Sequence, residues 1–150
     1  MKTDNYPNMS PALIEFNHIY KDFNDIYHDL AIKLNMSDSI FDIFYYLCEA
    51  GDGCMQRDIC RSSCLPKQTV NSSIRKLEQQ GYHLTLTPGK GRGMYIYLTE
   101  TGKQFVSEKI YPVIEMENNA FSSLKNEECE LMLKLYRKYN SALREELSKL

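Results

Sequence analysis

The sequence predicts a mainly α fold with a small β wing (α+β), and three features carry that prediction. Apolar residues recur at spacings of three and four along most of the chain. The period changes to β-branched and aromatic segments only between Tyr82 and Leu98, and those segments flank a glycine-rich run, Pro88-Gly89-Lys90-Gly91-Arg92-Gly93. At 150 residues, with 43% hydrophobic and 25% charged, the chain has material for a single core and is too apolar for wholesale disorder.

The elements follow in order. Ser10 before Pro11 reads as an N-cap with proline at the first helical position, opening a helix that runs to about Leu34. Leu13, Phe16, Tyr20, Phe23, Tyr27 and Leu30 alternate spacings of three and four, a stripe that demands a partner. Ser37 or Asp38 caps a second helix that buries Ile40, Phe41, Phe44, Leu47 and Cys48, and Gly51-Asp52-Gly53 is a turn. A short helix from about Gln56 to Ser62 comes next, burying Ile59 and Cys60. Pro66 then opens a helix to Gln80, stopped by Gly81. Tyr82 to Thr87 and Met94 to Leu98 form a two-stranded hairpin. Thr99 caps a long helix with Phe105, Val106, Ile110, Val113 and Ile114 inward and a bend or break at Pro112. After a turn at Ser122 to Asn126, the last helix starts at about Glu127 and buries Met132, Leu135, Tyr136, Tyr139, Leu143 and Leu147, with Leu150 at its end.

The helix from Pro66 to Gln80 is the one the rest positions. Val70, Ile74 and Leu77 mark its buried face, so Lys67, Gln68, Thr69, Asn71, Ser72 and Arg75 point outward with Glu78 as the sole carboxylate. Cations and hydroxyls suit phosphates, while Asn, Gln and Arg can pair with base edges. The same composition also describes a solvated surface helix. Two observations favour DNA. Two short helices joined by a tight turn and followed by a hairpin make a winged helix-turn-helix. Between Met55 and Lys103 there are eight basic and three acidic residues, a surplus of five, whereas the remainder has ten basic against seventeen acidic.

With the parts placed, the chain resembles the MarR family of winged-helix transcriptional regulators. Gln56-Arg57-Asp58-Ile59-Cys60 lies where that family has its polar-acidic-Leu-Ala helix. Lys67-Gln68-Thr69-Val70 and Leu77-Glu78-Gln79-Gln80-Gly81-Tyr82 are similar to its recognition helix and exit, and Tyr97-Leu98-Thr99-Glu100-Thr101-Gly102 to its wing-to-helix junction. By the same resemblance Arg92 is the wing arginine that enters a minor groove. Lys90 stands where an aspartate is usual, and Met55 and Pro66 stand where Ser or Thr would cap, so those caps are made differently. The resemblance implies a homodimer on double-stranded DNA, reading a pseudo-palindromic, inverted-repeat operator with one recognition helix in each major groove. It also implies that a small molecule, metal or oxidant changes the spacing of the two heads.

The expected organisation is an N-terminal dimerisation helix over 1–36, a DNA-binding head over 37–101 and C-terminal dimerisation helices over 102–150. Gln68, Asn71 and Arg75 are assigned to base edges, Lys67, Thr69, Ser72 and Arg61 to phosphates, and Lys90 and Arg92 to the wing. His18, Tyr45 and Tyr46 are candidates for a small-molecule effector pocket, and equally for core edges with polar tips. The other readings of the head are a protein-interaction module that has lost DNA binding and a constitutive architectural binder.

Other chemistry finds little support. No Ser-His-Asp pattern, metal-water motif or carboxylate cluster points to catalysis. The wing lysine is not followed by Ser or Thr, as a phosphate-binding loop requires. Cys54, Cys60 and Cys64 are separated by five and three residues, not as a C-x-x-C pair, so neither a metal nor another cofactor is expected. Cys48 and Cys60 read as small buried hydrophobes, whereas Cys54 and Cys64 lie near turns and are the candidates for redox reactivity. No segment approaches the roughly 18 apolar residues a membrane span needs, and five cysteines without an export signal predict free thiols and a cytoplasmic protein.

Overall fold

A computed structural model of the chain describes residues 7–150 apart from Lys90 and Arg92. The helices are α1 (Pro11–Lys33), α2 (Asp38–Ala50), α3 (Gln56–Ser62), α4 (Lys67–Gln80), α5 (Glu100–Lys109), α6 (Tyr111–Phe121) and α7 (Asn126–Leu147); the strands are β1 (Cys54–Met55), β2 (Leu84–Pro88) and β3 (Met94–Leu98). The described residues fall into two compact units, one ending at Val106 and the other spanning Ser107–Leu150.

Local signals set most boundaries in the first unit. The Ser10 hydroxyl accepts from the Leu13 amide at 3.1 Å, satisfying one of the donors that an α-helix leaves orphaned. Asn35, at φ 58°, turns the chain out of α1. Ser37 caps α2 by accepting from Ile40 N at 3.3 Å. α2 then buries Phe41, Ile43, Phe44 and Leu47, so its buried side is wider than expected by Ile43, while Ile40 and Cys48 are only half-buried. Phe44 is fully buried and packs with its ring tilted against Phe105 of α5, centroids 4.9 Å apart, joining the helix that supports the head to the helix that leaves it.

The sheet is a correction. It has three strands in the order β1-β3-β2, all antiparallel, rather than two. Cys54 pairs with Ile96 and Met55 with Tyr95, on the edge of β3 that the hairpin leaves open. The hairpin starts at Leu84 rather than Tyr82, because Gly81 at φ 71° ends α4 and the chain must still turn through the next two residues. Leu84, 0% exposed, and Ile96, 1% exposed, turn one sheet face into the core that Ile59, Val70, Ile74 and Leu77 share.

Thr99 closes the junction. Its hydroxyl donates to the Tyr82 carbonyl and accepts from Gly102 N at 3.0 Å, tying the end of α4 to the start of α5. A Cβ on Gly102 would fall 1.9 Å from the His83 carbonyl oxygen, so only glycine permits this approach. The expected break comes at Ile110, two residues before Pro112, which occupies the first turn of α6.

In the second unit Val113 of α6 is buried and Ile114 half-buried. α7 begins at Asn126, one residue before the expected start, with Lys125 N donating to Glu128 Oε2 at 2.8 Å. The expectation that α7 buries its apolar stripe is corrected: within this chain none of its residues is buried, and Leu135 and Leu143 are 52% and 49% exposed. Along α1 only Ala31 is buried.

Candidate nucleic-acid interface

The interface is built from α3, α4 and the faces of β2 and β3 next to them. Neither helix has a side-chain N-cap. Met55 N instead donates to Asp58 Oδ2 at 2.8 Å, and Val70 N donates to the Pro66 carbonyl at 3.1 Å. The first of these is the alternative cap at Met55; the second is the ordinary first bond of an α-helix, so α4 opens at Pro66 without a side-chain cap. α4 buries Val70, Ser73, Ile74 and Leu77, a line at helical spacing that includes one polar residue, Ser73, unmarked by the apolar pattern.

With 3.6 residues per turn, the residues opposite that line are Gln68, Ser72, Arg75 and Gln79, and all four are exposed. Lys67 is exposed on one flank, where Asn71 is half-buried; Thr69 is half-buried on the other flank. The Ser72 hydroxyl donates to the Thr69 carbonyl at 3.1 Å, so its proton is engaged within the helix.

A cleft of about 830 Å³ runs between α3, α4 and the sheet. Its walls carry Gln56, Arg57 and Arg61 on α3 and Lys67, Asn71 and Arg75 on α4, and its floor includes Ile74, Leu86, Met94 and Ile96. Glu78 is the one carboxylate among the lining residues. Arg61 lies 3.9 Å from Asp58, a side chain 74% exposed and weakly engaged. The cleft therefore gathers Arg61, Lys67, Asn71 and Arg75 from the expected set and leaves Gln68, Thr69 and Ser72 outside it. It adds Gln56, Arg57 and Gln79, which the sequence reading did not select. The α3 residues gave no local signal, because their approach to α4 depends on the turn at 63–66. Lys90 and Arg92 lie outside the described residues.

The other candidates are dispersed. His18 is exposed on α1; Tyr45 and Tyr46 are half-buried on α2, with ring centroids 5.2 Å apart in an edge-on arrangement. The thiols reorder: Cys54 is the buried one, at 7% exposure, Cys48 and Cys60 are half-buried, and Cys64 is exposed. Burial pushes the Cys48 thiol up to about 11 and, aided by the Asp58 carboxylate, raises that of Cys54 as well, so both remain protonated and poorly nucleophilic. Of the two redox candidates, Cys54 is therefore the less accessible and Cys64 the exposed one. Among the described residues no group of three or more His, Cys, Asp or Glu is placed to hold a metal ion, and no helix is long and apolar enough to cross a membrane.

No protein-family model and no curated protein sequence matches the chain. Solved structures do. A MarR family regulator from Neisseria meningitidis superposes with a TM-score of 0.80 at 19% identity, covering 93% of this chain and 99% of that one. The MepR–DNA complex from Staphylococcus aureus gives 0.65 at 23%, covering 91% and 99%. NadR in complex with 4-hydroxyphenylacetate gives 0.65 at 18%, covering 89% and 97%. The chain has the winged-helix fold of the MarR-type regulators.

Proposed function

We propose that the protein is a homodimeric transcriptional regulator that binds an inverted-repeat operator. The observation that carries this reading is the exposed side of α3 and α4: cations and amides line it, one carboxylate interrupts it, and it lies within the segment between Met55 and Lys103 that has the surplus of five positive charges. A duplex presents a phosphate every few ångströms, and such a face gains affinity by releasing the condensed counterions. One head is too small to read a long site. The exposed apolar stripes of α1 and α7 supply the means of pairing two, and a second copy covering them would present two α4 helices to successive major grooves about 34 Å apart.

Repression follows from occupancy, since a dimer seated on an operator excludes other proteins from the same duplex face. The wing adds contacts through Lys90 and Arg92, whose charges suit a narrow minor groove. A small aromatic acid is the favoured class of effector, because NadR, of similar fold, is bound to one; Tyr45, Tyr46 and His18 are its candidate contacts here.

Selection of fragments from random or genomic duplexes by the purified protein tests the reading. An inverted-repeat consensus with half-sites one helical turn apart supports both dimer and regulator. A pool with no enriched sequence, or single half-sites only, contradicts it.

A further inference from the structure

Two elements of the head stand ready to enter DNA grooves, α4 and the β2–β3 hairpin, and the cleft lies between them. A rod in a major groove and a finger in the neighbouring minor groove must straddle the sugar-phosphate strand that separates those grooves. The strand then runs through the cleft. Its walls suit a strand of phosphates, with Arg57 on α3 and Lys67 on α4. Among the described residues neither of these cations has a carboxylate within ion-pair distance. The floor of Leu86 and Met94 offers the deoxyribose carbons an apolar surface.

We propose that this cleft seats the DNA strand between the two grooves, that Arg57 holds a phosphate there, and that bases are read by the outermost line of α4, with Gln79 a specificity-determining residue. The assignment rests on the reading of the head as a DNA-binding module, and it adds two residues and a division of labour to that reading. Asn71, half-buried on the cleft wall, becomes a backbone contact rather than a base reader. Gln68, Arg75 and Gln79 stand opposite the buried line; Arg75 and Gln79 also line the cleft but, unlike Asn71, are exposed, and each of the three can offer two hydrogen-bonding groups to one base edge. Ser72, between them, has its proton engaged by Thr69.

Phosphate contacts and base contacts separate by experiment, because only the former are sequence-blind and salt-linked. Arg57 and Gln79 are both exposed, so their substitution leaves the core intact. Binding of a fluorescent duplex carrying the selected repeat is measured across a salt series, and the selection is repeated with each variant. Arg57→Ala should weaken binding about tenfold at low salt, flatten the slope of log K against log salt by about two, one phosphate for each protomer, and leave the consensus unchanged. Arg57→Lys should restore the slope. Gln79→Ala should keep the slope and lose preference at one symmetric pair of positions. An unchanged slope in Arg57→Ala, or an unaltered consensus in Gln79→Ala, overturns the assignment while the regulator reading stands. A wild-type protein indifferent to every duplex overturns both.

Discussion

Helices α4 and α7 carry the same kind of apolar stripe and meet opposite fates. On α4, Val70, Ile74 and Leu77 are no more than 4% exposed, closed off by the rest of the head. On α7, Leu131, Leu135, Leu143 and Leu147 recur with comparable regularity and are each at least 49% exposed. Period alone states that a face wants burial; it does not state against what. The head finds its partners within the chain, and the natural reading of α7 is that its partner is a second copy. A second copy seated on α7 would add to the stability of the single chain a part that depends on concentration.

That contrast can be broken at its strongest point first. Phe44 is 0% exposed and packs on Phe105 and edge-on to His83, so Phe44→Ala should cost about 3–5 kcal/mol and unfold the head in urea at any protein concentration. Leu135→Asp with Leu143→Asp should do the converse. Sedimentation should show the dimer constant weakened by more than about a hundredfold, while the circular dichroism of the head persists at high concentration. If the double variant stays dimeric, α7 is not the pairing face.

Two smaller changes sharpen the account of the head. Gly102→Ala forces a methyl group against the His83 carbonyl and should cost about 1–3 kcal/mol, read as a lowered urea midpoint. Asp42 on α2 is half-buried, and burial first, then the Asp38 charge, holds its carboxyl above the usual range. Between the ordinary carboxylate value and that raised value the folded state binds more protons than the unfolded. Stability contributed at this site therefore falls as pH rises through the window and stays lower above it. Asp42→Asn should be slightly more stable than the native chain at neutral pH and lose that advantage in acid, as measured by urea midpoints at the two pH values.

What was legible in the sequence divides along the same line. Caps and stops are local chemistry, and Ser10-Pro11, Ser37, Gly81 and Thr99 all stand where the chain starts or ends a helix. Strand β1 was not legible: two residues, Cys54 and Met55, are fixed by pairing with Ile96 and Tyr95 some forty positions away, and nothing in their own types announces it. The cleft was half legible. The cations of α4 follow from its period, but Arg57 joins them only through the packing of α3 beside α4. Burial on α7 was misread because the stripe is real and nothing among the described residues buries it.

The most direct test of the central claim is the mass of the protein–duplex complex, by sedimentation or light scattering, on a duplex carrying the selected repeat over a range of salt. Two chains on each duplex, with affinity falling linearly in log K against log salt, is the predicted result. One chain on each duplex, or no complex at the lowest salt, would contradict it.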